Sequence, residues 1–105
     1  LEGWSFADCL PYFKRMESCD DGDPVYRGTD GPLTLERGAA QGPLFDAFFA
    51  AAQQAGHALT DDVNGYRQEG FARFHRNISG GRRWSASRAY LHPDSDVRAA
   101  LESVS

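Results

Sequence analysis

Apolar residues between positions 6 and 17 fall at helical spacing. Cys9, Leu10, Phe13 and Met16 make one stripe, and Phe6, Leu10, Phe13 and Glu17 share a side. Ser5 precedes the run with Asp8 three places on, an acidic form of the capping box that predicts a helix from Phe6 to about Glu17. Pro11 lies inside it, removes one backbone donor, and is expected to bend or divide the helix near Leu10. A second stripe, Leu44, Phe45, Phe48, Phe49, Ala52 and Ala55, opens at Gly42-Pro43 and closes at the C-cap candidate Gly56. Its aromatic side is expected to be core.

The polar intervals carry turn chemistry. Residues 18–31 hold Asp20, Asp21, Gly22, Asp23, Pro24, Gly28, Asp30 and Gly31 and read as a loop, followed by a short strand at Leu33-Thr34-Leu35. Asn64-Gly65 is a turn dipeptide that tolerates positive φ. Gly70 to Ile78 alternates as a strand does, with Phe71, Arg73, His75 and Asn77 on one face and Ala72, Phe74, Arg76 and Ile78 on the other. Ser79-Gly80-Gly81 breaks it. Trp84 to Leu91 has helical composition, with Ser85 as its cap, and His92-Pro93 stops it. Asp94 or Ser95 begins a last helix through Leu101. The fold class expected is α+β: about three helices, a short irregular strand or hairpin, and long loops.

The 105 residues, 41% hydrophobic and 25% charged, suffice for one small domain with a modest core. No apolar run approaches the roughly 20 residues of a membrane span, and no basic-then-apolar signal pattern opens the chain. The net charge of −4 is uneven: −7 over residues 1–63, +5 over 64–93 and −2 beyond. The basic segment would attract an anion, but pairing with the acidic half is the simpler reading. The overall negative charge and the lack of a reader motif argue against nucleic acid. Cys9 and Cys19 are too few for a disulfide scaffold, and their neighbours do not point to a metal, so a reduced, cytoplasmic protein is the expectation.

Calcium-loop readings fail around Asp20 for want of the full ligand run. They fail from Asp62 because Gly65 is misplaced and Arg73 stands where the bidentate glutamate belongs. The three histidines, His57, His75 and His92, belong to no arrangement that reads as catalytic, and structural or solvent roles suit each better. Gly80-Gly81-Arg82-Arg83 makes at most a weak anion nest.

Four blocks carry a resemblance. They are Gly3-Trp4-Ser5-Phe6-Ala7-Asp8-Cys9-Leu10-Pro11-Tyr12-Phe13, Tyr26-Arg27-Gly28-Thr29-Asp30-Gly31-Pro32-Leu33, Asp62 to Phe71, and Gly81 to Pro93. In this order the chain resembles the glucose–methanol–choline (GMC) flavoprotein oxidoreductases, and within them the choline-oxidising bacterial members. Beyond Pro93 the likeness ends.

The resemblance implies an internal fragment, residues 1–105, from the region between the flavin lid and the substrate domain of a larger α/β flavoprotein. It implies FAD and an alcohol such as choline in the complete enzyme, with hydride passing from the CH–OH group to flavin. It places Asn64 and Gly65 beside the cofactor cavity and Phe71 beside the substrate. Trp4, Tyr66, Phe74 and Trp84 would suit a quaternary ammonium by cation–π attraction, though core packing accounts for each more simply. The dinucleotide fingerprint Gly-x-Gly-x-x-Gly is absent from the chain, and nothing matches the family's catalytic histidine block. No catalytic residue and no metal ligand are therefore assigned, and the chain alone is expected not to bind FAD tightly or to catalyse. The rival expectation is a non-enzymatic module that dimerises through the apolar face of Phe45, Phe48 and Phe49.

Overall fold

Ser5 closes the first turn of α1 (Phe6–Met16) in both directions. Its hydroxyl accepts from the Asp8 amide, and the Asp8 carboxylate accepts from the Ser5 amide at 3.0 Å and its hydroxyl at 2.7 Å. In this computed structural model, which describes residues 2–91, Pro11 does not divide the helix: α1 runs unbroken through it. A proline takes away one donor only, and the cap and the following turns hold the remainder. After β1 (Glu17–Ser18) the chain loops back so that β1 pairs in parallel with β2 (Leu33–Thr34), Glu17 opposite Leu33. Ser18, expected in the loop, is therefore in a strand.

The loop between β1 and β2 is wrapped on the end of α1. Cys19 N–H donates to Gly28 O at 2.8 Å, Gly31 N–H to Glu17 O at 2.9 Å, and Gly28 N–H to the Glu17 carboxylate at 3.2 Å. Gly28 and Gly31 are needed here because a Cβ on either would fall on α1 or β1 backbone.

α2 (Pro43–Gln54) begins with Pro43 after Gly42, and it ends as a Schellman motif. Gly56 has φ 83°, its N–H donates to Gln53 O, and His57 N–H donates to Ala52 O, each at 3.0 Å.

The expected strand over 70–78 is not continuous. Phe71 makes an isolated bridge to Leu59, β4 (His75–Arg76) pairs antiparallel with β3 (Glu36–Arg37), and β5 (Ile78–Ser79) pairs with β6 (Arg82–Arg83). Three partners pull one segment in three directions, which a period-two pattern does not encode. Gly80 and Gly81, at φ 57° and 73°, form the two-residue turn of the last hairpin, which needs positive φ at both positions.

The helix expected from Trp84 is shorter, a five-residue π-helix at Ser87–Leu91. Ser85 does cap it, accepting from Arg88 N–H at 3.2 Å. Tyr90 OH donates to Met16 O and Trp84 Nε1–H to Pro32 O, both at 2.8 Å, and these bonds fasten the last element to α1 and β2. The helix expected from Asp94 lies outside the described residues.

Among the described residues, three helices and small two-stranded sheets make an α+β unit. It is open. Its radius of gyration is 17.5 Å, against about 13 Å for a compact domain of this length. Among the described residues only Cys19, Ala52 and Ala89 are buried apolar side chains. The aromatic side of α2, expected as core, is instead largely exposed, and so is the stripe of α1. Phe45 and Phe48 on α2 and Phe6, Tyr12 and Phe13 on α1 all face solvent, as do Trp4, Tyr66 and Phe74. Each stripe lacks an opposing layer within these residues.

Candidate functional site

The most completely buried part of the unit is ionic. Arg27, 3% exposed, lies between Glu17 and Asp62. Its Nε is 2.8 Å from Glu17 Oε1, off the N–H axis, so the contact is ionic rather than a hydrogen bond. Its Nη1 donates to Asp62 Oδ1 at 3.4 Å. Asp62 also makes the turn that follows it: Asn64 N–H donates to its carboxylate at 2.9 Å and Gly65 N–H to its carbonyl at 3.1 Å. Gly65 is buried and its φ lies outside the left-handed region, so the turn is set by the Asp62 side chain and not by positive φ at Asn64-Gly65.

His75 enters from β4 with its ring 3% exposed. Nε2 is 2.8 Å from Asp21 Oδ1 and Nδ1 is 3.7 Å from Asp62 Oδ1. Arg37, from β3, donates through Nε to Asp21 Oδ2 and through Nη1 to Asp61 O at 2.7 Å. Burial alone would raise the Asp21 carboxyl, but the hydrogen bonds and charges of His75 and Arg37 prevail and bring it down to about 2. Cys19, fully buried, has its Sγ 3.6 Å from Asp21 Oδ1. Burial pushes its thiol up, and Arg27 partly opposes this.

Asn64 lines a cleft of about 440 Å³ that Tyr26, Arg27, Leu35 and His75 also border, so it is brought beside the ionic cluster. Phe71 sits apart. It lines a second cleft of about 470 Å³ with Arg37, Asp46, Phe49 and Thr60, and its ring lies 5.5 Å from those of Phe48 and His57.

Sequence reasoning missed the convergence of Cys19, Asp21 and His75, whose ligating atoms all lie within 4.8 Å of one another. Cys19-x-Asp21 is a local signal that was available. His75 is 54 positions further on, and only the β3–β4 pairing carries it there.

With this geometry established, the comparisons define the class. The chain matches the GMC oxidoreductase family model over residues 1–102, past the Pro93 at which the likeness was expected to end, and it belongs to that family. It is 57% identical over 96 residues to the oxygen-dependent choline dehydrogenase of Staphylococcus xylosus, covering 89% of this chain and 17% of that protein. It is 56% identical over 91 residues to the protein of the same name from Rhizobium johnstonii, covering 87% and 17%. Among solved structures it is similar to pyridoxine 4-oxidase from Mesorbium loti, with a TM-score of 0.76 and 30% identity, covering 90% of this chain and 18% of that one. The chain thus spans less than a fifth of the length of these relatives.

Proposed function

We propose that this chain is a part, between the flavin lid and the substrate domain, of an FAD-dependent dehydrogenase that oxidises a choline-type alcohol, its CH–OH hydride passing to flavin. The identity of 56–57% to oxygen-dependent choline dehydrogenases across 87–89% of the chain carries this reading. A dinucleotide site needs a glycine-rich turn at the end of a parallel strand, feeding a helix N-terminus. The chain has no such turn, and among the described residues the parallel strand pair, β1 with β2, runs into acidic loop and β3 instead. Its residues therefore do not fit the whole cofactor, and the chain alone is inactive and does not hold FAD tightly. In the proposal Asn64 and Gly65 contribute one wall of the cofactor cavity and Phe71 faces the substrate.

The test uses the full-length protein that contains this chain, mixed anaerobically with choline, pyridoxine or a simple primary alcohol while flavin absorbance is followed. Choline should bleach the flavin most efficiently. Failure of every alcohol to reduce it would refute the reading. A stoichiometric yellow complex of the 105-residue chain with added FAD would refute the claim that the chain alone does not hold it.

A second reading is a module that dimerises through its apolar surface. The exposure of Phe45 and Phe48 on one helix favours it. Sedimentation showing a stable dilute monomer counts against it. A cytoplasmic setting is proposed with either reading, in keeping with free Cys9 and Cys19. Among the described residues no helix is long and apolar enough to cross a membrane.

A further inference from the structure

We infer that Cys19, Asp21 and His75 form a three-ligand site for a divalent cation of the zinc class. Cys19 Sγ and Asp21 Oδ1 are 3.6 Å apart, His75 Nε2 and Asp21 Oδ1 are 2.8 Å apart, and all three atoms lie within 4.8 Å of one another. Tetrahedral zinc, with bonds of about 2.0 to 2.3 Å, holds its ligand atoms roughly 3.2 to 3.8 Å apart, so small side-chain movements complete the geometry. Thiolate with imidazole selects zinc over magnesium or calcium. Three protein ligands leave a fourth position for water.

One observation besides proximity points to a cation. The His75 ring is 97% buried, yet its Nδ1 has no hydrogen-bond partner, and neither does Asp62 Oδ2. A metal-bound histidine characteristically turns its second nitrogen to a carboxylate, and Asp62 Oδ1 waits 3.7 Å from that Nδ1. On binding, the metal–sulfur bond replaces the Cys19 S–H bond, whose proton passes to water. The Glu17, Asp21 and Asp62 carboxylates and the Arg27 and Arg37 guanidiniums surround the site in direct ionic contact. Arg37 does not compete for the ligating atom, since it engages Asp21 Oδ2 and leaves Oδ1 to the metal.

Cobalt(II) titration of the 105-residue chain, stripped with chelator and free of any histidine tag, tests the site. The expected result is a thiolate-to-cobalt charge-transfer band saturating at one equivalent and bleached by zinc. Cys19→Ser should abolish the band and Cys9→Ser should leave it unchanged. Asp62→Asn should weaken binding about 10- to 100-fold, as loss of a carboxylate supporting a ligating histidine does. Absence of the band, its survival in Cys19→Ser, or its loss in Cys9→Ser would overturn the inference. The wild-type chain supplies a check that needs no variant: zinc, but not magnesium, should raise its urea midpoint by binding the folded state, and an unchanged midpoint would also overturn the inference.

Discussion

Replacing Gly28 with alanine should cost far more than replacing Gly65, although both are buried glycines in tight turns. A Cβ at Gly28 would stand 2.6 Å from Glu17 O and closer still to Lys14 O, inside the 3.0 Å limit that real side-chain carbons respect. Both obstacles are backbone at the end of α1 and cannot rotate away. Relief means lifting the loop, which breaks Cys19 N–H to Gly28 O and Gly28 N–H to the Glu17 carboxylate. Overpacking costs about 1–3 kcal/mol and each hydrogen bond about 1 kcal/mol, so the loss is about 3–5 kcal/mol. Whole domains are stable by only about 5–15 kcal/mol. At Gly65 the added carbon would meet Asp62 at 3.4 to 3.8 Å, ordinary contact, and no left-handed φ forbids it. Alanine there should be neutral or should stabilise by about 0.4–1 kcal/mol through the unfolded state. Urea unfolding followed by tryptophan fluorescence and far-ultraviolet circular dichroism measures both. Equal midpoints for Gly28→Ala and wild type, or a Gly65→Ala variant as damaged as Gly28→Ala, would refute the steric argument.

Arg27→Ala should destabilise by about 3–5 kcal/mol in the same assay, because it strands Glu17 and Asp62 as unpaired charges, and a wild-type midpoint would contradict that. Gly81→Ala should cost about 1–2 kcal/mol, since φ 73° forces a Cβ into the left-handed region, and an unchanged midpoint would show that the hairpin does not depend on it. Hydrogen bonds from the Ser5 hydroxyl and amide hold the Asp8 carboxyl below the ordinary aspartate range. That stabilisation is complete above the unfolded value and disappears as pH falls through the lowered folded one. Carboxyl-detected NMR titration should find the Asp8 midpoint low in wild type and higher in Ser5→Ala, and coincident curves would refute the capping account.

What was legible in the sequence was what neighbouring residues decide between themselves. Ser5 with Asp8, Gly42-Pro43 and Gly56 mark helix ends because capping acts within one turn, and Gly80-Gly81 marks a break in the strand because tolerance of positive φ is a property of the residue. Residues 70–78 were misread for the complementary reason. Alternation proposes a strand, but where each stretch pairs is decided by Leu59, by Glu36–Arg37 and by Arg82–Arg83. The Cys19–Asp21–His75 group is doubly nonlocal, since it requires both the wrap of the loop onto α1 and the β3–β4 pairing. The aromatic stripes teach something different. Their periodicity correctly locates helical faces, yet Phe45, Phe48, Phe6 and Phe13 remain exposed. Amphipathic spacing states which face gains by leaving water; it does not state which residues cover it. In relatives of which this chain spans 17%, far more chain lies outside the matched region than within it, ample for such a layer. The ionic cluster, by contrast, closes within the described residues, with Arg27, Asp62 and His75 buried by their own loops. Local order in this unit therefore rests on charge and backbone bonds around Arg27, while the apolar faces of α1 and α2 are left uncovered by each other.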